Sequence, residues 1–214
     1  VLLVIVSALI VLLPGLSLTT AINELATRHL VAGSSRFAGA MLVFVTLAFG
    51  TALGSQIGVR LFGPGMGSGD AGAGLPFWVQ LPALLVFAAG ATVILRARPR
   101  DLGWILGAGA LAFFGAKAGV RLLGGEAGAL LGALLLGTGS NLFARLRQRP
   151  VAVMHVPGLL LLVPGSLGFQ SLSALIDRDT LLGLEGAFRV LLVAVALVTG
   201  LLVANAVLPP RRNL

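Results

Sequence analysis

Continuous apolar runs, most of them near the length that crosses a bilayer, recur along this chain and leave little room for any other kind of fold. Seven can be drawn: Val1–Leu13, Phe37–Ile57, Pro76–Leu95, Leu102–Val120, Ala127–Phe143, Val151–Val163 and Ala187–Leu208. A spanning helix needs roughly 20 predominantly apolar residues. Three runs fall short of that, and two of the three end at a Pro-Gly. The runs are continuous and not alternating, so they predict helices and not barrel strands. Of the 214 residues 57% are hydrophobic and only 10% are charged, with mean hydropathy +1.05. That is too little charge for the surface of a soluble domain. The expected class is an all-α polytopic helical membrane protein. Thirty glycines set among Leu, Ala and Val point to helices in close contact. The chain has no Cys, which excludes disulfides, thiolate metal sites and a Cys nucleophile.

The net charge of +8 raises nucleic acid as a partner. The Arg residues argue against it, because they lie in short clusters between apolar runs and not on one phosphate-binding face. Assigning alternate runs to alternate sides places Arg28, Arg36, Arg96, Arg98, Arg100, Arg145, Arg147, Arg149, Arg211 and Arg212 together, against Glu24 and Asp101. The other side receives Arg60, Lys117, Arg121, Arg178 and Arg189, against Asp70, Glu126, Asp177, Asp179 and Glu185. Ten basic residues against five make the first side cytoplasmic, and the tail "PPRRNL" falls there. Val1 opens inside an apolar run with no basic region or cleavage site beside it, so the expectation is a span whose start lies upstream and not a signal peptide.

Two stretches break their apolar runs in the same way. "LLPGLSLTTAINELATRHL" (Leu12–Leu30) and "LLVPGSLGFQSLSALIDRD" (Leu161–Asp179) each place Ser, Thr, Asn or Gln directly after a Pro-Gly. With an offset of 150 residues, Pro14 falls on Pro164, Gly15 on Gly165, Leu25 on Leu175, Arg28 on Arg178, Gly33 on Gly183 and Gly50 on Gly200. The shared pattern is P-G-x9-L-x2-R-x4-G followed by an apolar span, an internal repeat. On the charge assignment the two copies emerge on opposite sides of the membrane. Inverted repeats with interrupted helices are the pattern of secondary transporters, whose sites form where the breaks meet. The expected organisation is residues 1–58 as the last two spans of a first unit, 59–75 as a Gly-rich connector, and 76–214 as a complete five-span second unit. Seven spans are then present of an expected ten.

These motifs, "LPGLSLTTAINELATRHLVAGSSRFAGA" and "VPGLLLLVPGSLGFQSLSALI" followed by "LLVANAVLPPRR", resemble the threonine/serine exporter family of bacteria and fungi over nearly the whole chain. The resemblance implies a ten-span secondary transporter of the cytoplasmic membrane, preceded by a soluble region. It also implies export of threonine and serine driven by protons. Some relatives are two-subunit carriers of dicarboxylates such as succinate, so missing N-terminal spans or a partner subunit are expected to be required.

A break at Pro-Gly frees backbone groups that cost several kcal/mol each if left unpaired in hydrocarbon. A helix starting at such a break points N–H groups and a positive dipole end at its ligand, which suits a carboxylate. The expected substrate-binding residues are Pro14, Gly15, Ser17, Thr19, Thr20 and Asn23 in one copy, and Pro164, Gly165, Ser166, Gln170, Ser171 and Ser173 in the other. The alternative is that the Ser and Thr groups only cap helices. Four residues could carry substrate charge or a coupling proton: Arg28, Arg178, Lys117 and His155. For the two Arg an interfacial anchor is favoured over a carboxylate clamp. Lys117 lies near enough to a run end to snorkel. A lone His such as His155 is more often simply hydrogen-bonded than proton-carrying. Asn141, with Thr138 and Ser140, is expected to bond across helices. Gly103/Gly107, Gly115/Gly119 and Gly124/Gly128/Gly132 form small-xxx-small patterns that support helix crossing. No hydrolase triad, HExxH motif or clustered ligand spacing is present, so neither an enzyme nor a metal or other cofactor is expected. A non-transporting membrane scaffold is the alternative from another class.

Overall fold

A computed structural model describes Leu9 and residues 12–62, 76–125, 127–176 and 178–209. Among these residues all repeating structure is helical. The α-helices are α1 (Gly15–Ala26), α2 (Leu30–Phe62), α3 (Phe77–Ile94), α4 (Leu102–Leu123), α5 (Ala127–Arg147), α6 (Ala152–Leu162), α7 (Gly165–Ile176) and α8 (Thr180–Val207). A 3-10 turn at Pro99–Asp101 leads into α4. Five stretches are long and apolar enough to cross a membrane: Leu30–Leu61, Pro99–Leu123, Ala127–Arg147, Ala152–Ile176 and Thr180–Val207, and α3 is a shorter apolar helix. The protein is therefore an all-α, multi-pass membrane protein. Apart from Leu9, Leu12 and Leu13, the expected span Val1–Leu13 lies outside the described residues. So do most of the Gly-rich connector and the tail from Pro210.

Two helices start well before their apolar runs. α2 begins at Leu30, seven residues before the run at Phe37, and takes in Arg36, which pairs with Glu24 at 2.9 Å. α8 begins at Thr180, where the Asp179 carboxylate accepts the Leu182 N–H at 3.2 Å. A side-chain acceptor at that point is a helix start signal that hydropathy does not register.

The chain divides into two compact units: Val1–Gly74 with Pro164–Leu192, and Leu75–Val163 with Val193–Leu214. The spatial units differ from the division at residues 59–75, because α7 and the start of α8 join the N-terminal helices.

In the first unit α2 buries Ala40, Phe44 and Ala48, a stripe at i, i+4 and i+8 on one helix face. Phe44 lies over Gly168 of α7, where a Cβ would stand 3.0 Å from the ring. Leu42, Val45, Phe49, Leu53 and Ile57 of α2 are exposed, the outward face of a helix whose solvent is lipid.

In the second unit glycine sets the helix spacing. A Cβ on Gly119 of α4 would lie 2.8 Å from the Ala127 carbonyl oxygen and 2.8 Å from the Gly128 Cα of α5. One on Gly115 would lie 3.0 Å from the Gly132 Cα. Lipid tails are as apolar as Leu, so helices gain little by hiding Leu from lipid, and close van der Waals approach holds them instead. Gly103 and Gly107 have nothing within 4 Å of a built Cβ among the described residues, so that pair takes no part in a crossing between them. Asn141, buried in α5, donates to Asn205 Oδ1 at 3.0 Å and to the Leu208 carbonyl at 2.7 Å, which is the expected bond across helices. Thr138 instead bonds back to the Leu134 carbonyl of its own helix at 2.8 Å.

Candidate functional site

The two Pro-Gly breaks meet in the first unit. Pro14 and Pro164 each precede a helix of twelve residues, α1 and α7. At 1.5 Å per residue each helix is about 18 Å long, roughly half the hydrocarbon thickness. Each takes its first regular turn from the proline carbonyl, which accepts the Leu18 N–H at 2.9 Å and the Gly168 N–H at 3.1 Å. The N–H groups of the first turn have no acceptor within their own helix, and Pro14 supplies no side-chain cap. A Cβ built on Gly165 would stand 3.3 Å from Leu13 Cβ and 3.6 Å from Gly15 Cα. The starts of the half-helices are therefore in direct backbone contact. Two helix N-termini, each with its positive dipole end, thus meet at one place.

The polar side chains after the breaks divide. Ser17, Thr20 and Gln170 are exposed, while Asn23, Ser166 and Ser173 are half-buried. Asn23 and Ser173 stand at matched positions of the repeat. Thr19 is buried and donates to the Gly15 carbonyl at 3.1 Å, a bond within its own helix. Ser171 is buried and donates to the Gly183 carbonyl of α8 at 2.5 Å. Its hydroxyl is thus taken up in helix packing, and the matched position in the first copy is Ala21, also buried.

Arg28 and Arg178 lie at the far ends of α1 and α7, both exposed. Both are in the left-handed region, at φ 65° and 66°. The Arg28 N–H bonds the Leu25 carbonyl at 3.1 Å and the His29 N–H bonds that of Glu24 at 2.8 Å. In the second copy Arg178 bonds Leu175 at 3.2 Å and Asp179 bonds Ala174 at 2.9 Å. This is the Schellman C-cap, present in both copies of the repeat with Arg where Gly is usual. A Cβ on Gly33 or Gly183 would strike the side chain of Leu25 or Leu175, so the long helix folds back onto the half-helix at these glycines. The shared L-x2-R-x4-G thus encodes a corner. It sets the backbone of both Arg residues a half-helix length, about 18 Å, from Gly15 and Gly165.

Lys117 and His155 belong to the second unit. Lys117 Nζ donates to Gln80 Oε1 at 2.6 Å and lies 5.8 Å from the Phe113 ring centroid. His155 Nδ1 is buried with no partner among the described residues. Sequence reasoning passed over Glu24. Its Oε1 accepts from Arg36 Nε at 2.9 Å, and its Oε2 is buried without a partner among the described residues. An acid on the same half-helix as Thr20 and Asn23 was the available signal.

A family model described as "Threonine/Serine exporter, ThrE" matches residues 80–207, and one described as "Putative threonine/serine exporter" matches residues 1–58. No curated protein and no solved structure matches the chain. With more than half of its length matched by the first of these models, and with its broken, membrane-length helices, the chain belongs to the threonine/serine exporter family.

Proposed function

We propose that the protein exports threonine, serine and similar small amino acids across the cytoplasmic membrane as a secondary active, proton-coupled transporter. The substrate carboxylate binds beside the point where the starts of α1 and α7 meet. The observation that carries this reading is the contact of the two Pro-Gly breaks, with Gly15 Cα 3.6 Å from a Cβ built on Gly165. A bulky side chain at Gly165 would press on Leu13 and Gly15 and push the two breaks apart. Ser17, Thr20 and Ser166, all within the first two turns of the half-helices, serve the hydroxyl and ammonium groups. On this reading the two copies are inverted in the membrane, residues 76–214 form one five-span unit, and the C-terminus is cytoplasmic. Glu24 and His155, each with a buried atom that lacks a partner among the described residues, are the candidates for the coupling proton.

The test is uptake into proteoliposomes made from the whole protein, with competing solutes. Threonine and serine should compete. Threonine amide, which lacks the carboxylate, should not. Equal competition by threonine and its amide would remove the carboxylate site. A second reading is favoured by the same geometry, since two converging positive helix ends suit two carboxylates at least as well as one. Competition by succinate stronger than by threonine would establish a dicarboxylate carrier. Absence of flux with any of these solutes would leave a membrane scaffold.

A further inference from the structure

The second unit has a cavity that the transport reading does not use. It measures about 480 Å³ and lies where the turn after α3 meets the start of α6. Arg96, Arg98 and Arg149 line it with Asp101, and Ile105 and Val156 are among its apolar walls. Asp101 is 4% exposed and is paired with Arg149. That ion pair fixes the turn Pro99–Asp101 against the start of α6 and neutralises the only acid in the lining. Arg96 and Arg98, both exposed, leave the rim with two net positive charges. Arg96 is held at φ 49° by the cap that ends α3, where the Ala97 N–H bonds the Thr92 carbonyl at 2.9 Å. The backbone therefore fixes where this guanidinium's stem leaves the chain.

We infer that this cavity binds the phosphate headgroup of an anionic phospholipid, with Arg96 and Arg98 on the phosphate and the upper acyl chain against the half-buried Val153 and Val156. A guanidinium fork matches phosphate oxygens in shape and charge. Basic pockets at the ends of spanning helices meet the headgroup layer of the bilayer. The apolar walls continue into helices α4 and α6, whose stretches are of membrane-crossing composition. A free phosphate ion would leave those walls uncovered, so the lipid is the better match.

The experiment measures melting temperature of the purified protein in detergent with phosphatidylglycerol, phosphatidylcholine or inorganic phosphate added. Phosphatidylglycerol should raise it by several degrees, and the other two should have little effect. The variant with both Arg96→Gln and Arg98→Gln, which keeps the Asp101–Arg149 pair, should melt like the parent in phosphatidylcholine and lose most of the phosphatidylglycerol gain. An undiminished gain in that variant overturns the site, and an equal gain with inorganic phosphate overturns the lipid. Should the variant not fold, native mass spectrometry of the parent decides. Phosphatidylglycerol retained in preference to phosphatidylcholine supports the inference, and equal retention overturns it.

Discussion

A glycine in this chain matters or not according to what its missing side chain would touch. Gly119 faces backbone atoms at 2.8 Å, which cannot swing aside, whereas Gly107 faces nothing within 4 Å. Overpacking costs about 1–3 kcal/mol, so Gly119→Ala should lower the melting temperature by several degrees. Gly107→Ala should leave it unchanged or raise it, since Ala is about 0.5–1 kcal/mol better than Gly within a helix. Paired thermal denaturation in one detergent checks both. Asn141→Ala should cost about 0.6–1.7 kcal/mol, the range for hydrogen bonds between membrane helices, because its two acceptors on Asn205 and Leu208 are left unanswered. Sequence spacing marked Gly107 and Gly119 alike. Only the neighbouring helix distinguishes them, and its register is a long-range property that no local pattern carries.

The half-helix with its corner is the repeated element, and its parts were legible to different degrees. Pro14-Gly15 and Pro164-Gly165 could be read directly, because proline fixes its own φ and lacks a donor, so helix interruption is a local consequence. The Arg residues were read as anchors or clamps, yet their backbone is what the repeat preserves. Their place at a C-cap was hidden because Gly, the usual signal, is absent there. The partner of Ser171 was not legible either, since Gly183 lies beyond a turn whose geometry the residues alone do not reveal. The corner should tolerate Arg28→Gly and Arg178→Gly. Glycine relieves a left-handed strain of about 1 kcal/mol, and the residues stand far from the proposed site, so substrate affinity should stay within about twofold. Thr20→Val and Ser166→Ala test the site instead, and each should cost roughly tenfold in affinity, the equivalent of about 1.4 kcal/mol. Ser171→Ala should lower stability with affinity unchanged. Ligand binding measured beside thermal stability separates these outcomes.

For the molecule as a whole, the composition and the continuous runs were sufficient for an all-α membrane protein, because hydrocarbon forbids unpaired backbone and leaves the helix as the local solution. The grouping of α7 and the first part of α8 with the N-terminal helices was hinted at by the repeat and by nothing in the local composition. The Arg asymmetry predicts a cytoplasmic C-terminus, and a fused reporter active only inside the cell should report it; activity only outside would reverse the topology.

The two locked corners also determine where this machinery can bend. Leu25 against Gly33 and Leu175 against Gly183 brace each half-helix to the long helix that follows, so the pair behaves as a rigid elbow. The compliance lies at the other end, where proline interrupts the hydrogen-bond ladder. On the proposed reading each half-helix is then a lever about 18 Å long with its pivot beside the bound solute. A tilt of about 10° at that pivot carries the corner about 3 Å, by the same length. Small rearrangements around the substrate are thereby enlarged into displacements at the membrane surface, with no change in the corners themselves.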